Sequence, residues 1–104
     1  MVTTGLIVRL EAQAGKEEEL SAFLVEALPL VLDEPETVAW FALRADVSSF
    51  AMVDVFPDDE GRKAHLAGPV AAALADRAGE LLAAPPLIEQ VDALAAKLPD
   101  GALP

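Results

Sequence analysis

Residues 50–68 read Phe50-Ala-Met-Val-Asp54-Val-Phe56-Pro57-Asp58-Asp59-Glu60-Gly-Arg62-Lys-Ala-His65-Leu66-Ala-Gly68. An apolar strand runs into an abrupt helix start, and that helix carries the only histidine of the chain. After Pro57, Asp58 or Asp59 is placed to cap a helix, and Glu60 suits its first turn. Gly68-Pro69 ends this helix, and proline fits the first position of the next. The stretch therefore reads as strand, cap, helix, break, helix, with one titratable imidazole between a sheet and a helix layer. That arrangement suggests a pocket without naming a ligand.

The same reading extends outward in both directions. Gly5 to Ala12 alternates, with Leu6, Val8, Leu10 and Ala12 on one face and Ile7, Arg9 and Glu11 on the other, so it is a strand. Lys16-Glu-Glu-Glu19 opens a helix with acids where the dipole favours them. Leu20, Phe23, Leu24, Ala27, Leu28 and Val31 then form one apolar stripe. Pro29 lies inside that stripe, and an interior proline costs about 3 kcal/mol, so a kink or a short second segment is expected there. Asp33-Glu-Pro-Glu36 closes the element.

Thr37 to Ala45 reads as the second strand and Ser49 to Phe56 as the third. The short polar link Asp46-Val-Ser-Ser49 favours an antiparallel hairpin. Beyond Pro69, Val70, Ala73 and Leu74 share a helix face, a further short helix is expected over Gly79 to Ala84, and Pro85-Pro86 stops it. Leu87 to Ala95 reads as a fourth strand whose edge position tolerates Glu89 and Asp92. The order is β-α-β-β-α-β, an α+β class: a ferredoxin-like sandwich with an antiparallel sheet and helices on one face. One domain is expected over residues 1–97, with a loose tail over 98–104.

Both sides of the central strands are apolar. Val38, Trp40 and Ala42 oppose Ala39, Phe41 and Leu43; Phe50, Met52 and Phe56 oppose Ala51, Val53 and Val55, with Asp54 the one polar member. Helices cover only one face, and a bare apolar sheet exceeds what a soluble monomer tolerates. A second copy packed sheet against sheet is the simplest cover, so a homodimer is expected. The competing arrangement folds the C-terminal segment over that face.

Composition bounds the remaining chemistry. The net charge of −11 disfavours nucleic acid and anionic membranes as partners. The apolar run Ala27 to Leu32 is far too short to span a bilayer, and no basic-then-apolar signal opens the chain, which reads as a cytoplasmic protein. There is no Cys, Tyr or Asn, so disulfides, thiol chemistry and mechanisms that need a phenol or an asparagine carboxamide are absent. One His without Cys makes no usual metal site, and helix capping accounts for Asp58-Asp59-Glu60. Ser21, Ser48 and Ser49 lack the glycines of a nucleophile elbow, and no glycine-rich phosphate loop occurs.

The element order, the aromatic pair in Thr37-Val-Ala-Trp40-Phe41, and Asp54-Val-Phe56 followed by Arg62-Lys-Ala-His65-Leu-Ala-Gly68 resemble the antibiotic biosynthesis monooxygenase family over residues 5 to 97. The resemblance implies a homodimer whose two sheets form an α+β barrel, with a pocket between sheet and helices in each protomer. It implies oxygenation of small aromatic substrates, such as quinols or polyketides, without metal, flavin or other cofactor. It also reaches haem-degrading relatives and proteins without known activity. The departures are specific: haem-degrading relatives use a first-strand Asn that this chain lacks, and a Trp where this chain has Phe56. Their haem-ligating His lies about two turns beyond His65, where this chain reads Ala71-Ala-Ala73.

Four residues are candidates for the site. His65 is the proton acceptor for a hydroquinone or phenol, since imidazole titrates near neutrality; the plainer reading puts it on the exposed side of its helix near Glu60 or Arg62. Trp40 and Phe56 stack on a planar ligand or simply pack the core. Asp54 faces either the pocket, where desolvation raises its pKa, or the dimer seam, paired with Arg9 or Arg44. The functional readings from these residues are a cofactor-independent monooxygenase, a non-catalytic small-molecule-binding or interaction domain, and an isomerase on the same scaffold.

Overall fold

The computed structural model describes residues 1–99. Seven elements follow in order: β1 (Thr4–Glu11), α1 (Glu17–Leu32), β2 (Ala39–Arg44), β3 (Ser49–Phe56), α2 (Asp59–Leu66), α3 (Pro69–Leu81) and β4 (Leu87–Asp92). The strands form one antiparallel sheet in the order β2-β3-β1-β4, which is the ferredoxin-like topology expected from the sequence. Sequential strands β2 and β3 pair as a hairpin, while β1 lies between β3 and β4, so each α unit crosses the same face.

That face holds the core. Leu6, Val8 and Leu10 of β1 and Phe50, Met52 and Phe56 of β3 are buried against Leu20, Phe23, Leu24 and Val31 of α1 and Val70, Leu74 and Leu81 of α3. Strand period and helix period meet there, which is why one apolar set per element suffices. On the opposite face no element of the described chain covers the sheet. Phe41, Leu43 and Leu87 stay 54%, 50% and 57% exposed, beside half-buried Val53 and Val55. The alternative in which the C-terminal segment folds over the sheet is therefore not what the described residues do, because residues 87–92 join the edge of the sheet itself. The tail expected over 98–104 lies from residue 100 onward outside the described residues.

Three local expectations are corrected. Helix α1 is one element through Pro29 and not two segments. Pro29 and Val25, whose carbonyl loses its helical donor there, both lie on the exposed side of the helix. The separate short helix over 79–84 is absent: α3 continues to Leu81, because Gly79 keeps a negative φ and does not break it. The strands at 37–45 and 87–95 are shorter than their apolar pattern, at Ala39–Arg44 and Leu87–Asp92. Among the described residues no helix is long and apolar enough to cross a membrane.

Candidate functional site

Helix α2 is held by its cap and by one arginine. The Asp58 carboxylate accepts from the Gly61 amide at 3.1 Å, the role its sequence position suggests. The Arg62 guanidinium donates to the carbonyls of Gly5 and Val91, each at 3.2 Å, tying α2 across β1 and β4. Gly61 faces the sheet; a Cβ there would stand 3.1 Å from Glu36 Cβ and 3.4 Å from Phe56 Cβ. The missing side chain lets α2 approach β3 and the loop after α1. One turn later, on the same buried face, lies His65.

His65 is 7% exposed and not on the solvent side near Glu60 or Arg62. Its Nδ1 lies 2.6 Å from Glu34 Oε1 in hydrogen-bond geometry. The Thr37 hydroxyl donates to the same oxygen at 2.7 Å, so the carboxylate is fixed from a second direction. Its Nε2 lies 2.8 Å from Asp54 Oδ2, but both Asp54 oxygens lack a directed hydrogen-bond partner. That second contact is a close charge contact. Phe56 packs its ring against the imidazole at 5.5 Å between centroids.

The strand pattern decides where Asp54 points. Phe50, Met52, Asp54 and Phe56 all face the helices, and Asp54 is 1% exposed. It does not sit on the outer face and pairs with neither Arg9 nor Arg44, which contact Glu89 and Glu18 instead. The imidazole therefore stands between two carboxylates in a water-poor setting. Burial pulls its pKa down, but the carboxylates of Asp54 and Glu34 outweigh burial and hold it above the usual value of 6.5.

His65 also separates two spaces. On one side lies an apolar cavity of about 270 Å³ between the sheet and α2–α3, walled by Leu6, Val8, Met52, Val70, Leu74 and Ile88 among others. Among the described residues, His65 is the only ionisable group on its wall. On the other side lies a cleft of about 200 Å³ lined by Asp33, Glu34, Glu36, Thr37 and Gly68. No other described residue borders both. A larger groove of about 660 Å³, lined by Arg9, Arg44, Phe50 and Leu87, lies at the far end of the sheet, away from the imidazole.

Of the sequence candidates, the structure brings His65 and Asp54 together and places His65 on the cavity wall. Phe56 is fully buried behind the imidazole, and Trp40 packs half-buried on the core; neither borders the cavity. The Trp40 indole N–H is buried without a partner beside Asp54, its cross-strand neighbour. Glu34 is the residue that sequence reading missed. It lies in the turn that closes α1, and its only local signal is Pro35, which holds the preceding residue extended rather than helical. Glu34 and Asp54 meet opposite ends of the ring and do not converge. Among the described residues no group of three or more His, Asp or Glu side chains is arranged to hold a metal ion.

The fold is antibiotic biosynthesis monooxygenase-like. The structure superposes on two provisionally named antibiotic biosynthesis monooxygenases. One, from Caulobacter crescentus, has a TM-score of 0.77 and 20% identity over 90% of this chain and 92% of that one. The other, from Chloroflexus aurantiacus, has a TM-score of 0.72 and 22% identity over 91% and 96%. At those identities the likeness establishes the fold. A closer relation exists to NE2512, a protein of unknown function from Nitrosomonas europaea, with 52% identity over 97% of this chain and 98% of that one and a TM-score of 0.95. The chain belongs to the same family as NE2512. No family model matches the sequence, and no curated protein does.

Proposed function

We propose that this protein is a homodimeric, cofactor-independent monooxygenase acting on a small planar aromatic, such as a hydroquinone or an anthrone-type ring, bound in the cavity beside His65. The observation that carries this reading is an apolar cavity whose one ionisable wall residue is an imidazole flanked by two carboxylates. Its volume lies just below the range of ordinary ligand sites and suits a compact ring system. Neutral His65 takes the hydroxyl or enol proton of the ligand. The resulting anion is electron-rich enough to reduce O₂ directly, and the dry wall keeps water from the intermediates. For an anthrone-type carbon the stoichiometry closes without a reductant: a ring CH₂ becomes C=O, one oxygen atom enters the product and the other leaves as water.

Asp54 stabilises the imidazolium that forms. Trp40 and Phe56 support the sheet side of the site from the core. The raised pKa of His65 sets the sign of the pH dependence: the accepting form is the neutral ring, so turnover rises as pH rises through a value above 6.5.

The second subunit is part of this reading. Phe41, Leu43 and Leu87 on the uncovered sheet face, with the adjoining groove at Arg9 and Arg44, supply an apolar surface that a second copy would bury.

An oxygen electrode tests the activity with a panel of naphthohydroquinones and anthrones. Oxygen uptake that His65→Gln abolishes supports the oxygenase. Ligand binding without oxygen uptake supports a binding domain of the same fold, and a substrate spectral change without oxygen supports an isomerase.

A further inference from the structure

We propose that Glu34 is a positioning residue that fixes the tautomer of His65, placing the proton of the neutral ring on Nδ1 and leaving Nε2 as the basic nitrogen. The inference rests on the reading of His65 as proton acceptor and adds what that reading lacks, namely which nitrogen accepts and what selects it.

A neutral imidazole has one N–H and two candidate acceptors here. Glu34 Oε1 lies 2.6 Å from Nδ1 along the hydrogen-bond direction. Asp54 Oδ2 lies 2.8 Å from Nε2, and neither Asp54 oxygen has a directed donor. The single proton therefore gains the shorter, charge-assisted hydrogen bond at Nδ1. The Glu34 carboxylate is itself held, since Thr37 donates to the same oxygen. The two carboxylates then have unlike tasks: Glu34 orients the ring, and Asp54 stabilises charge when Nε2 is protonated. A base oriented by a third group is the general logic of an activated imidazole.

No other charged group competes for the ring. On α2 itself, Arg62 is turned to the Gly5 and Val91 carbonyls, and Lys63 contacts Glu60. The α3 residues on the cavity wall, Val70, Ala71, Leu74, Ala75 and Ala78, are uncharged. Asp33 and Glu36 line the cleft on the Glu34 side and are not hydrogen-bonded to the imidazole.

Each step balances. The ligand O–H proton moves to Nε2 while the Nδ1 proton stays with Glu34, giving an imidazolium between two carboxylates and a ligand anion. One oxygen atom of the reduced O₂ stays in the product as the new carbonyl; the other leaves as water with the Nε2 proton and the second hydrogen lost from the ring carbon, and the starting tautomer returns without rotation of the ring.

The chain has one histidine, so the ring reports alone in a ¹⁵N-histidine-labelled sample. Above the His65 pKa, wild type should show a pyrrole-like Nδ1 and a pyridine-like Nε2 nitrogen shift. Glu34→Gln should move the population toward the Nε2–H form, and Thr37→Val, which leaves the carboxylate but loosens it, should give a mixture. A wild-type ring that carries its proton on Nε2 overturns the proposal whether or not any variant folds. So does a Glu34→Gln ring with unchanged shifts. Oxygen uptake plays no part in this measurement, so a protein with the proposed tautomer and no turnover would sink the oxygenase reading and leave the positioning role standing.

Discussion

Replacing His65 by leucine removes the positive partner from two buried carboxylates. Asp54 is 1% exposed, and the Glu34 side chain is 15% exposed, so neither can turn fully to water. Removing one partner of a buried charge pair costs about 3–5 kcal/mol, because the remaining charge is left uncompensated. A domain of this size has only about 5–15 kcal/mol in total. The melting temperature should therefore fall on the order of 15–30 °C. The loss must also depend on pH. The folded-state pKa of His65 is raised above its unfolded value, so the stabilisation is fully present below about 6.5 and is lost as pH rises through the folded value. Urea denaturation of wild type and His65→Leu at equal protein concentration, at pH 6 and pH 9, measures both effects. The gap between them should be largest at pH 6 and shrink at pH 9. Adding Asp54→Leu to the variant should restore part of the stability by removing the most buried charge. A gap under about 1 kcal/mol that is the same at both pH values would refute the charged arrangement.

Other perturbations separate the parts of the account. Phe41→Glu, on the uncovered sheet face, should turn the proposed dimer into monomers in sedimentation experiments; a wild type that sediments as a single chain at micromolar concentration rules the dimer out. Ala71→Phe, on the α3 wall of the cavity, should lower ligand affinity about tenfold or more in calorimetry while leaving the His65 titration unchanged. Asp58→Ala removes the α2 cap and should cost about 1 kcal/mol in urea denaturation, with no loss if capping is not its task. Where turnover is found, its rate should climb with pH through a value above 6.5; a rate that falls across that range would mean the imidazolium is the working form.

The fold was legible because its signals are local and periodic. Alternation over residues 5–12 and 49–56 and the stripe from Leu20 to Val31 locate the sheet and the first helix with little tertiary help. Pro29 misleads because the cost of an interior proline depends on its surroundings, and here Pro29 and Val25 both lie on the exposed side of α1. Gly79 misleads for the related reason that glycine ends a helix only when it takes a left-handed turn. The site was half legible. The alternation of β3 put Asp54 on the face of Phe50, Met52 and Phe56, but nothing local said which face the helices cover. That choice follows from the crossings of α1 and α2–α3. Glu34 was invisible because it lies 31 residues from His65, in a turn whose acids look like an ordinary helix end. Its role exists only once α2, brought close by Gly61, sets the imidazole against that turn.

The most direct test of the account is the ionisation of a bound phenol. A chromogenic nitronaphthol titrated into the protein at a pH below its solution pKa should bind in the cavity and develop the phenolate absorbance. His65→Gln, with binding checked by calorimetry, should hold the same dye in its neutral form. A dye that binds wild type and keeps the neutral spectrum would contradict the assignment of His65 as the proton acceptor, and a dye that fails to bind across a range of small planar phenols would contradict the cavity as a ligand site.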